Sequence, residues 1–149
     1  MGEALGVTVY WTPPRRFAGI GAVGAPVAMD ARPDHAGEGS GPTPMETVLM
    51  ALASCTGMDV AGILEKMRIP LTALTVSASG ERANTHPKVF TRVHIRYEAG
   101  GPGLSYAQLE RAVKLSHEKY CSVAAMFRGT VAMTHEIVLA DSEEARLAG

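Results

Sequence analysis

Cys55 and Cys121 are the residues of this 149-residue chain whose type most directly suggests chemistry. Two thiols in a cytoplasmic protein act either as small buried hydrophobic groups or as a redox pair. The reactive form is the thiolate, and Cys121 lies where a helix N-terminus, with its partial positive charge, would favour it. Cys55 lies deep inside another predicted helix, so its cation must come from elsewhere, and Arg15 or Arg16 could supply it. The residues alone leave both interpretations open.

Glu46 is a candidate functional carboxylate, and it also occupies the third position of a capping box that begins at Thr43. Nine residues of α-helix span about 13.5 Å, so Glu46 cannot touch Cys55 of its own helix. An arginine that bridges the two, or a second copy of the chain that brings its own Glu46 across, would connect them. Capping alone explains the residue equally well.

Two pairs of residues have a spacing that suits a metal. His117 and Cys121 are four positions apart, as are Cys55 and Asp59, and each pair would lie on one helix face. Together they could form a four-ligand zinc site, although no C-x-x-C motif supports one. A hydrolase that pairs Cys55 with one of the five histidines is a further alternative. We favour a site with neither metal nor organic cofactor.

Residues 19–24 (GIGAVG) match the glycine pattern of dinucleotide-binding loops. That function requires a helix directly after the loop, whereas Pro26 and an extended stretch follow here. The pattern therefore predicts a glycine-rich hairpin. His135 falls on the apolar face of a later strand and is predicted to be a hydrogen-bonded core histidine, while His94 falls on a polar face.

Hydrophobic periodicity and turn residues predict an α+β chain. On the second of two long antiparallel strands, Val89, Val93, Ile95 and Tyr97 are expected to face inward. The predicted order is a strand at 7–12, glycine-rich strands at 17–29, a loop at 31–43, a helix from Thr43 to about Met67, strands at 74–79 and 89–98, a helix from Ser105, a helix at 121–127, a strand at 131–139, and a short helix or frayed tail beyond Asp141.

The helix that carries Cys55 is apolar on every side, which predicts complete burial. It also contains Gly57 and Gly62, although glycine costs about 1 kcal/mol relative to alanine in a helix. Two such residues indicate that another backbone packs closely against the helix. A second copy of the chain is a natural candidate for that neighbour.

Composition excludes several classes of protein. The net charge of −1 argues against nucleic-acid binding through a basic surface, and 46% hydrophobic residues argue against disorder. The longest uncharged apolar run, residues 47–58, is twelve residues long and too short to cross a membrane. We see no signal peptide in the first residues and expect a cytoplasmic protein.

Three stretches together are similar to one known family. They are residues 41–46 (GPTPME), 53–60 (ASCTGMDV) and 115–123 (LSHEKYCSV). These stretches, and the order of elements over nearly the whole chain, closely resemble the OsmC/Ohr family, which includes osmotically inducible protein C and the organic hydroperoxide resistance proteins. The two cysteines, one in the central helix and one at the start of a later helix, are the most specific part of the resemblance.

The resemblance implies a single OsmC-like domain over 1–149, with sheets around a buried central helix, in an intertwined homodimer with active sites at the subunit interface. It implies a peroxidase that reduces organic hydroperoxides in stress defence, with Cys55 as the peroxidatic cysteine and Cys121 as the resolving one. The activating arginine and glutamate would correspond to Arg16 and Glu46. The reductant would be a dithiol or a lipoylated protein.

The sequence departs from the peroxidase branch of the family beside the glutamate. Met45 directly follows Pro44, where that branch has Glu, and Glu46 comes one residue later, about 100° further around a helix. The segment around Arg16 also lacks the Gly-Gly-Arg pattern. The chain is therefore similar to a side branch of OsmC-like proteins. The alternative to a peroxidase is a non-catalytic dimer that binds an apolar ligand or partner and uses its cysteines only for packing.

Overall fold

The computed structural model describes residues 2–140, so the tail expected beyond Asp141 lies outside the described residues. Residues up to Val48 form one compact unit, and those from Leu49 onward form a second.

The first unit contains an antiparallel sheet of three strands. They are β1 (Thr8–Thr12), β2 (Arg16–Ile20) and β3 (Val27–Met29). The turn between β2 and β3 contains Gly24 at φ +87°, a backbone conformation that glycine adopts without a steric penalty. Residues 19–24 thus lie at the end of β2 and in a turn followed by a strand, so the hairpin interpretation is confirmed and the dinucleotide loop is excluded.

The loop after β3 is organised around the side chain of Asp30, which is only 3% exposed. Its carboxylate accepts hydrogen bonds from the backbone N–H groups of Ala31, Glu38 and Ser40, and from the Ser40 hydroxyl at 2.7 Å. These bonds, led by those from Ser40, lower the pKa of Asp30. The Asp30 carboxylate therefore accepts hydrogen bonds from backbone N–H groups that have no partner in a helix or a sheet.

Helix α1 (Pro44–Lys66) begins where the sequence predicts. The Glu46 side chain accepts from the Thr43 N–H at 2.7 Å, and the Thr43 hydroxyl accepts from the Glu46 N–H at 3.2 Å, which completes the capping box. The prediction of complete burial is wrong for the chain by itself, because only one stripe is buried and Met58 on another face is 74% exposed. The stripe consists of Leu52, Thr56, Gly57, Val60 and Leu64.

The two glycines of α1 have different surroundings from those expected. A Cβ atom at Gly57 would lie 3.3 Å from a methyl group of Val76, so its close neighbour is a side chain of the same chain. A Cβ atom at Gly62 would meet nothing within 4 Å. Within the described residues, therefore, no other backbone segment of the chain packs closely against either glycine.

The second unit contains a mixed sheet in which β5 lies between an antiparallel and a parallel neighbour. Its strands are β4 (Ala73–Arg82), β5 (Phe90–Gly100) and β6 (Ala132–Leu139). A register shift opposite Glu81 and Arg82 inserts one extra residue into β5. Phe90 is therefore buried and Val89 is 54% exposed, which corrects the expected inward position of Val89.

Two predictions about histidines in this sheet have different outcomes. His94 lies on the polar face, where its Nδ1 atom is 2.8 Å from the Thr134 hydroxyl, as expected. His135 is exposed, so the prediction of a core histidine is wrong. Met133 and Ile137, two positions away on the same face, do not cover its ring, and β6 is an edge strand of the sheet with no strand on its other side among the described residues.

The connection from β5 to β6 is helical. Helix α2 (Tyr106–Leu115) begins at Ser105 as predicted, with a capping box formed by Ser105 and Gln108. A π-helical turn follows over Ser116–Tyr120, and α3 (Ser122–Phe127) comes after Cys121. The buried residues of this connection include Leu109, Ala112, Val113 and Ser116.

The α+β class is confirmed by these two sheets and three helices in the described residues. By length and composition alone, the 23-residue α1 could cross a membrane. The run of twelve uncharged residues at 47–58 had indicated a segment too short for that. The core helix of a soluble protein meets the same two criteria, so this is weak support for a span.

Asp30→Asn is expected to loosen the loop after β3, because an amide cannot accept all four hydrogen bonds that the carboxylate accepts. Hydrogen exchange at the Glu38 and Ser40 amides should accelerate. The protection factors of the same amides should fall in the wild type as the pH falls through the lowered pKa of Asp30, since the depressed pKa means that the fold stabilises the ionised carboxyl. Asp34→Asn is the control, and equal exchange in both variants would contradict the role of Asp30.

Candidate active site

Cys55 lies in the middle of α1, directly before Thr56 of the buried stripe. Its side chain is half-buried and its thiol is free. The stripe faces the interior of the second unit, so the adjoining helix face places the Cys55 sulfur at the margin of the core.

Cys121 lies at the junction between the π-helical turn and α3. Its N–H group donates to the Ser116 carbonyl oxygen at 2.8 Å, which closes the π-helical turn, and its Sγ atom accepts from the Ala124 N–H at 3.4 Å. The residue is 2% exposed. Such single π-helical turns are frequent at functional sites.

Cys55 lies close enough to Cys121 to influence its titration, although the two are far apart in sequence. The pKa of the Cys121 thiol is raised to about 11, first by burial and also by the neighbouring Cys55 and the charge of Asp59. The Ala124 N–H lowers it. The start of α3 therefore favours the Cys121 thiolate in the predicted direction, but desolvation outweighs this hydrogen bond and the pKa is raised overall.

A continuous series of side-chain hydrogen bonds runs beside the cysteines, from Asp59 through Ser116, Thr56 and Tyr97 to His117. We call it the Asp59–His117 chain. The Ser116 hydroxyl donates to Asp59 Oδ2 at 2.8 Å and lies 2.8 Å from the Thr56 hydroxyl. The Tyr97 hydroxyl lies 2.7 Å from the Thr56 hydroxyl and 2.5 Å from His117 Nε2. It links α1, β5 and the π-helical turn.

The buried environment shifts the pKa of two members of this series. Burial raises the pKa of Tyr97 far above its ordinary value, so its hydroxyl stays protonated. Burial lowers the pKa of His117, and the positive charges of His135 and Arg128 lower it further. The His117 and His135 ring centroids are 5.2 Å apart. Arg128 also donates a hydrogen bond to the His117 carbonyl oxygen.

Glu46 and Arg16 belong to the first unit, and the structure shows their local contacts. The pKa of Glu46 is lowered, first by the Thr43 N–H and hydroxyl, and also by the charge of Arg32. Arg16 lies 3.5 Å from the Ser40 hydroxyl, and Arg15 donates to the Pro14 carbonyl oxygen. That Arg15 or Arg16 supplies the cation that stabilises the Cys55 thiolate stays a prediction.

The residues proposed for zinc do not assemble into a metal site. Within the described residues, no group of three or more His, Cys, Asp or Glu side chains lies close enough together to hold a metal ion. Asp59 instead accepts from Ser116, and His117 pairs with Tyr97. Both side chains are half-buried and bond to hydroxyl groups that are fully buried.

The sequence alone does not reveal that Thr56, Tyr97 and Ser116 bond to one another. Thr56 and Tyr97 lie on the predicted helix and strand, whereas Ser116 lies in a π-helical turn that was not predicted. The available signal was a polar hydroxyl at a position whose neighbours on the same face are apolar, as for Thr56 between Leu52 and Val60. Such a group needs a hydrogen-bond partner in the core.

The sequence pattern of OsmC-like proteins matches residues 37–136 of this chain. The chain belongs to the OsmC family. This confirms the family expected from the three stretches around the candidate site. Protein YhfA of Escherichia coli (strain K12) is 39% identical to the chain over 134 residues, which are 89% of this chain and 97% of YhfA. The name YhfA states no activity.

Two solved structures extend the comparison to the fold. A hypothetical protein from Aquifex aeolicus VF5 is 32% identical, with a TM-score of 0.78 over 93% of this chain and 99% of that one. An organic hydroperoxide resistance protein OsmC from Legionella pneumophila is 17% identical, with a TM-score of 0.66 over 91% of this chain and 97% of that one. The second likeness shows the OsmC fold alone.

In the Cys55→Ser variant, Cys121 is expected to titrate well above 9.0, its ordinary value, because the burial that raises its pKa remains. The ultraviolet absorbance of the thiolate measures this, and the same variant unfolded in denaturant is the control. Since the folded state holds this proton more tightly, the thiol stabilises the fold below pH 9.0 and this contribution is lost as the pH rises through about 11. A midpoint at or below the unfolded one would contradict the desolvation argument.

Proposed function

We propose that this protein is a cysteine-based peroxidase that reduces organic hydroperoxides in stress defence. The observation that carries the proposal is the proximity of Cys55 to Cys121, whose pKa it helps to raise, within the fold of the OsmC family. A thiol pair that meets across distant parts of the sequence suits a reversible disulfide. One solved structure of the same fold is named an organic hydroperoxide resistance protein, and the proposal takes its substrate class from that name.

In the first step the Cys55 thiolate attacks the distal oxygen of the hydroperoxide. A sulfur–oxygen bond forms, the oxygen–oxygen bond breaks, and the alkoxide takes a proton to leave as an alcohol. Cys55 becomes a sulfenic acid. Cys55 suits this role better than Cys121, since it is half-buried whereas Cys121 is 2% exposed and its raised pKa keeps it protonated.

In the second step the Cys121 thiol attacks the sulfur of the sulfenic acid. A sulfur–sulfur bond forms, the sulfur–oxygen bond breaks, and the hydroxide leaves with the thiol proton as water. A dithiol then reduces the disulfide by thiol–disulfide exchange and becomes oxidised itself. We propose a small dithiol or a lipoylated protein as this reductant and the cytoplasm as the location.

A cavity with apolar side chains in its lining supports a preference for organic hydroperoxides. It has a volume of about 370 Å³ and lies against the α1 face that bears Met58 and Asp59, three and four residues after Cys55. Its apolar side chains are Met58, Ile63, Met67 and Leu115, and its charged ones are Asp59, Lys66 and Arg111. Such a surface favours an alkyl group over water.

Activation of Cys55 is assigned in the proposal to Arg16, with Glu46 as the carboxylate that orients it. A guanidinium close to the sulfur would stabilise the thiolate and polarise the peroxide. Arg32, whose charge already acts on Glu46, is the alternative cation.

We further propose that the protein is a homodimer. In the described chain, β1 and α1 expose large apolar side chains, including Trp11 at 61% and Met58 at 74%. Exposed apolar surface on this scale is typical of protein interfaces. An intertwined pair would cover it.

Addition of a stoichiometric organic hydroperoxide such as cumene hydroperoxide is expected to consume both thiols of the wild type, as counted by a thiol reagent. Cys55→Ser should lose none, because the attacking sulfur is gone. Cys121→Ser should lose one thiol and form a sulfenic acid that dimedone labels. This matched pair of variants separates the two cysteine roles.

An unchanged thiol count in the wild type would overturn the peroxidase proposal. Retention of a ligand-binding function in Cys55→Ser would then favour the non-catalytic alternative, a dimer that holds an apolar ligand or partner.

Met58→Glu is expected to convert the dimer into a monomer, because a carboxylate would be buried without a partner in an apolar interface. Met58→Leu is the matched control, because it keeps the apolar surface and nearly the volume of the side chain, and it should leave the mass unchanged. Analytical ultracentrifugation measures both. A wild type that sediments as a monomer would contradict the proposed dimer.

A further inference from the structure

The Asp59–His117 chain passes through the protein interior from one cavity to another. Its three middle residues, Thr56, Tyr97 and Ser116, are fully buried. Asp59 at one end lines the cavity of about 370 Å³, and His117 at the other end lines a separate cavity of about 440 Å³. Every member bonds to the next, so none of the buried hydroxyls is left without a partner.

The carboxylate at one end gives the hydrogen bonds a single direction. The Ser116 proton is donated to Asp59, so the Thr56 proton must supply the bond between Thr56 and Ser116. The Tyr97 proton must in turn supply the bond to Thr56, because each hydroxyl has one proton. The bond between Tyr97 and His117 then requires a proton on His117 Nε2.

Proton counting leaves two states of His117, the neutral Nε2–H tautomer and the imidazolium. Burial and the charges of His135 and Arg128 lower the pKa of His117, which favours the neutral ring. The other nitrogen, Nδ1, is then an acceptor.

The same hydrogen bonds tie the two cysteines to a common frame. Thr56 directly follows Cys55 on α1, and its hydroxyl bonds to the Ser116 side chain. The Ser116 carbonyl oxygen accepts the Cys121 N–H at 2.8 Å. Ser116 is thus bonded through its side chain to the helix of Cys55 and through its backbone to Cys121.

We propose that Asp59, Thr56 and Ser116 are positioning residues for the disulfide-forming step. In the Asp59–His117 chain every proton is donated toward Asp59, and this direction fixes His117 as the neutral Nε2–H tautomer. This inference rests on the proposed peroxidase function. The residues do not touch the peroxide. They hold the π-helical turn against α1, so that the Cys121 sulfur faces the Cys55 sulfenic acid when the sulfur–sulfur bond forms and water leaves.

The first test compares Thr56→Val with Thr72→Val. Each removes one hydroxyl and keeps the shape of the side chain, but Thr72 only donates to the Gly100 carbonyl oxygen, away from the cysteines. Thr56→Val removes the bonds of this hydroxyl to Tyr97 and to Ser116, and the second of these joins α1 to the π-helical turn. The rate of disulfide formation should fall about tenfold, the effect of losing that one joining bond. The rate of sulfenic acid formation, measured in a Cys121→Ser background, should stay the same. Thr72→Val should change neither rate.

The second test uses ¹⁵N NMR to determine which ring nitrogen of His117 carries the proton, and thereby the direction of the hydrogen bonds in the Asp59–His117 chain. The wild type and Thr72→Val should show His117 as the Nε2–H tautomer. In Thr56→Val the Tyr97 proton has lost its acceptor and can turn to His117 Nε2, so the ring proton should move to Nδ1. An Nδ1–H tautomer in the wild type would overturn the inference, as would identical spectra for Thr56→Val and Thr72→Val.

A third measurement separates this inference from the peroxidase proposal. The cysteine pair is equilibrated with reduced and oxidised glutathione, which forms the disulfide by exchange without any peroxide. The equilibrium constant should fall about tenfold in Thr56→Val, again the effect of one hydrogen bond. If the wild type reacts with glutathione but not with hydroperoxide, the proposed function fails and the positioning role stands.

Ser116→Ala provides a second route if Thr56→Val does not fold. It removes the hydroxyl that joins α1 to the π-helical turn and should produce the same selective loss of the disulfide step. Equal losses in both chemical steps would show a general structural defect and would overturn the positioning role.

Discussion

Three hydroxyl groups that water cannot reach determine how the second unit is assembled. Thr56, Tyr97 and Ser116 come from α1, β5 and the π-helical turn, and each is fully buried. A buried hydroxyl without a partner is costly, and these three satisfy one another, with Asp59 and His117 at the ends. A shift of any of the three elements along its axis would leave at least one of them unsatisfied. The hydrogen bonds therefore fix a register that apolar packing alone would leave looser.

This arrangement gives two cysteines of the same type different environments. Cys121 is enclosed beside the π-helical turn, and its pKa is raised to about 11 because the thiolate would lose its hydration. Cys55 is half-buried on α1, at the edge of the same polar cluster. A helix N-terminus and a hydrogen bond from Ala124 favour the Cys121 thiolate, but desolvation is larger. The proposed division into an attacking thiol and a resolving thiol follows from this difference in solvation.

Local sequence signals predicted the elements well because the chemistry of each signal is local. Thr43 with Glu46, and Ser105 with Gln108, begin their helices as capping boxes, and the hydrogen bonds that define them are present. Predictions failed where the outcome depended on a neighbouring strand. Val89 is exposed because of an extra residue in β5 that alternation cannot reveal.

The sequence by itself determined the α+β class, the helix starts, the positions of both cysteines on their elements and, through three short stretches, the family. Only the tertiary structure decided that Thr56 meets Tyr97 and Ser116, which are 41 and 60 residues away. Periodicity states which face of a helix or strand turns inward, but it does not state which polar groups from different elements arrive at the same point. Which polar groups meet depends on how the elements pack against one another, and the same packing determines the environment of Cys121.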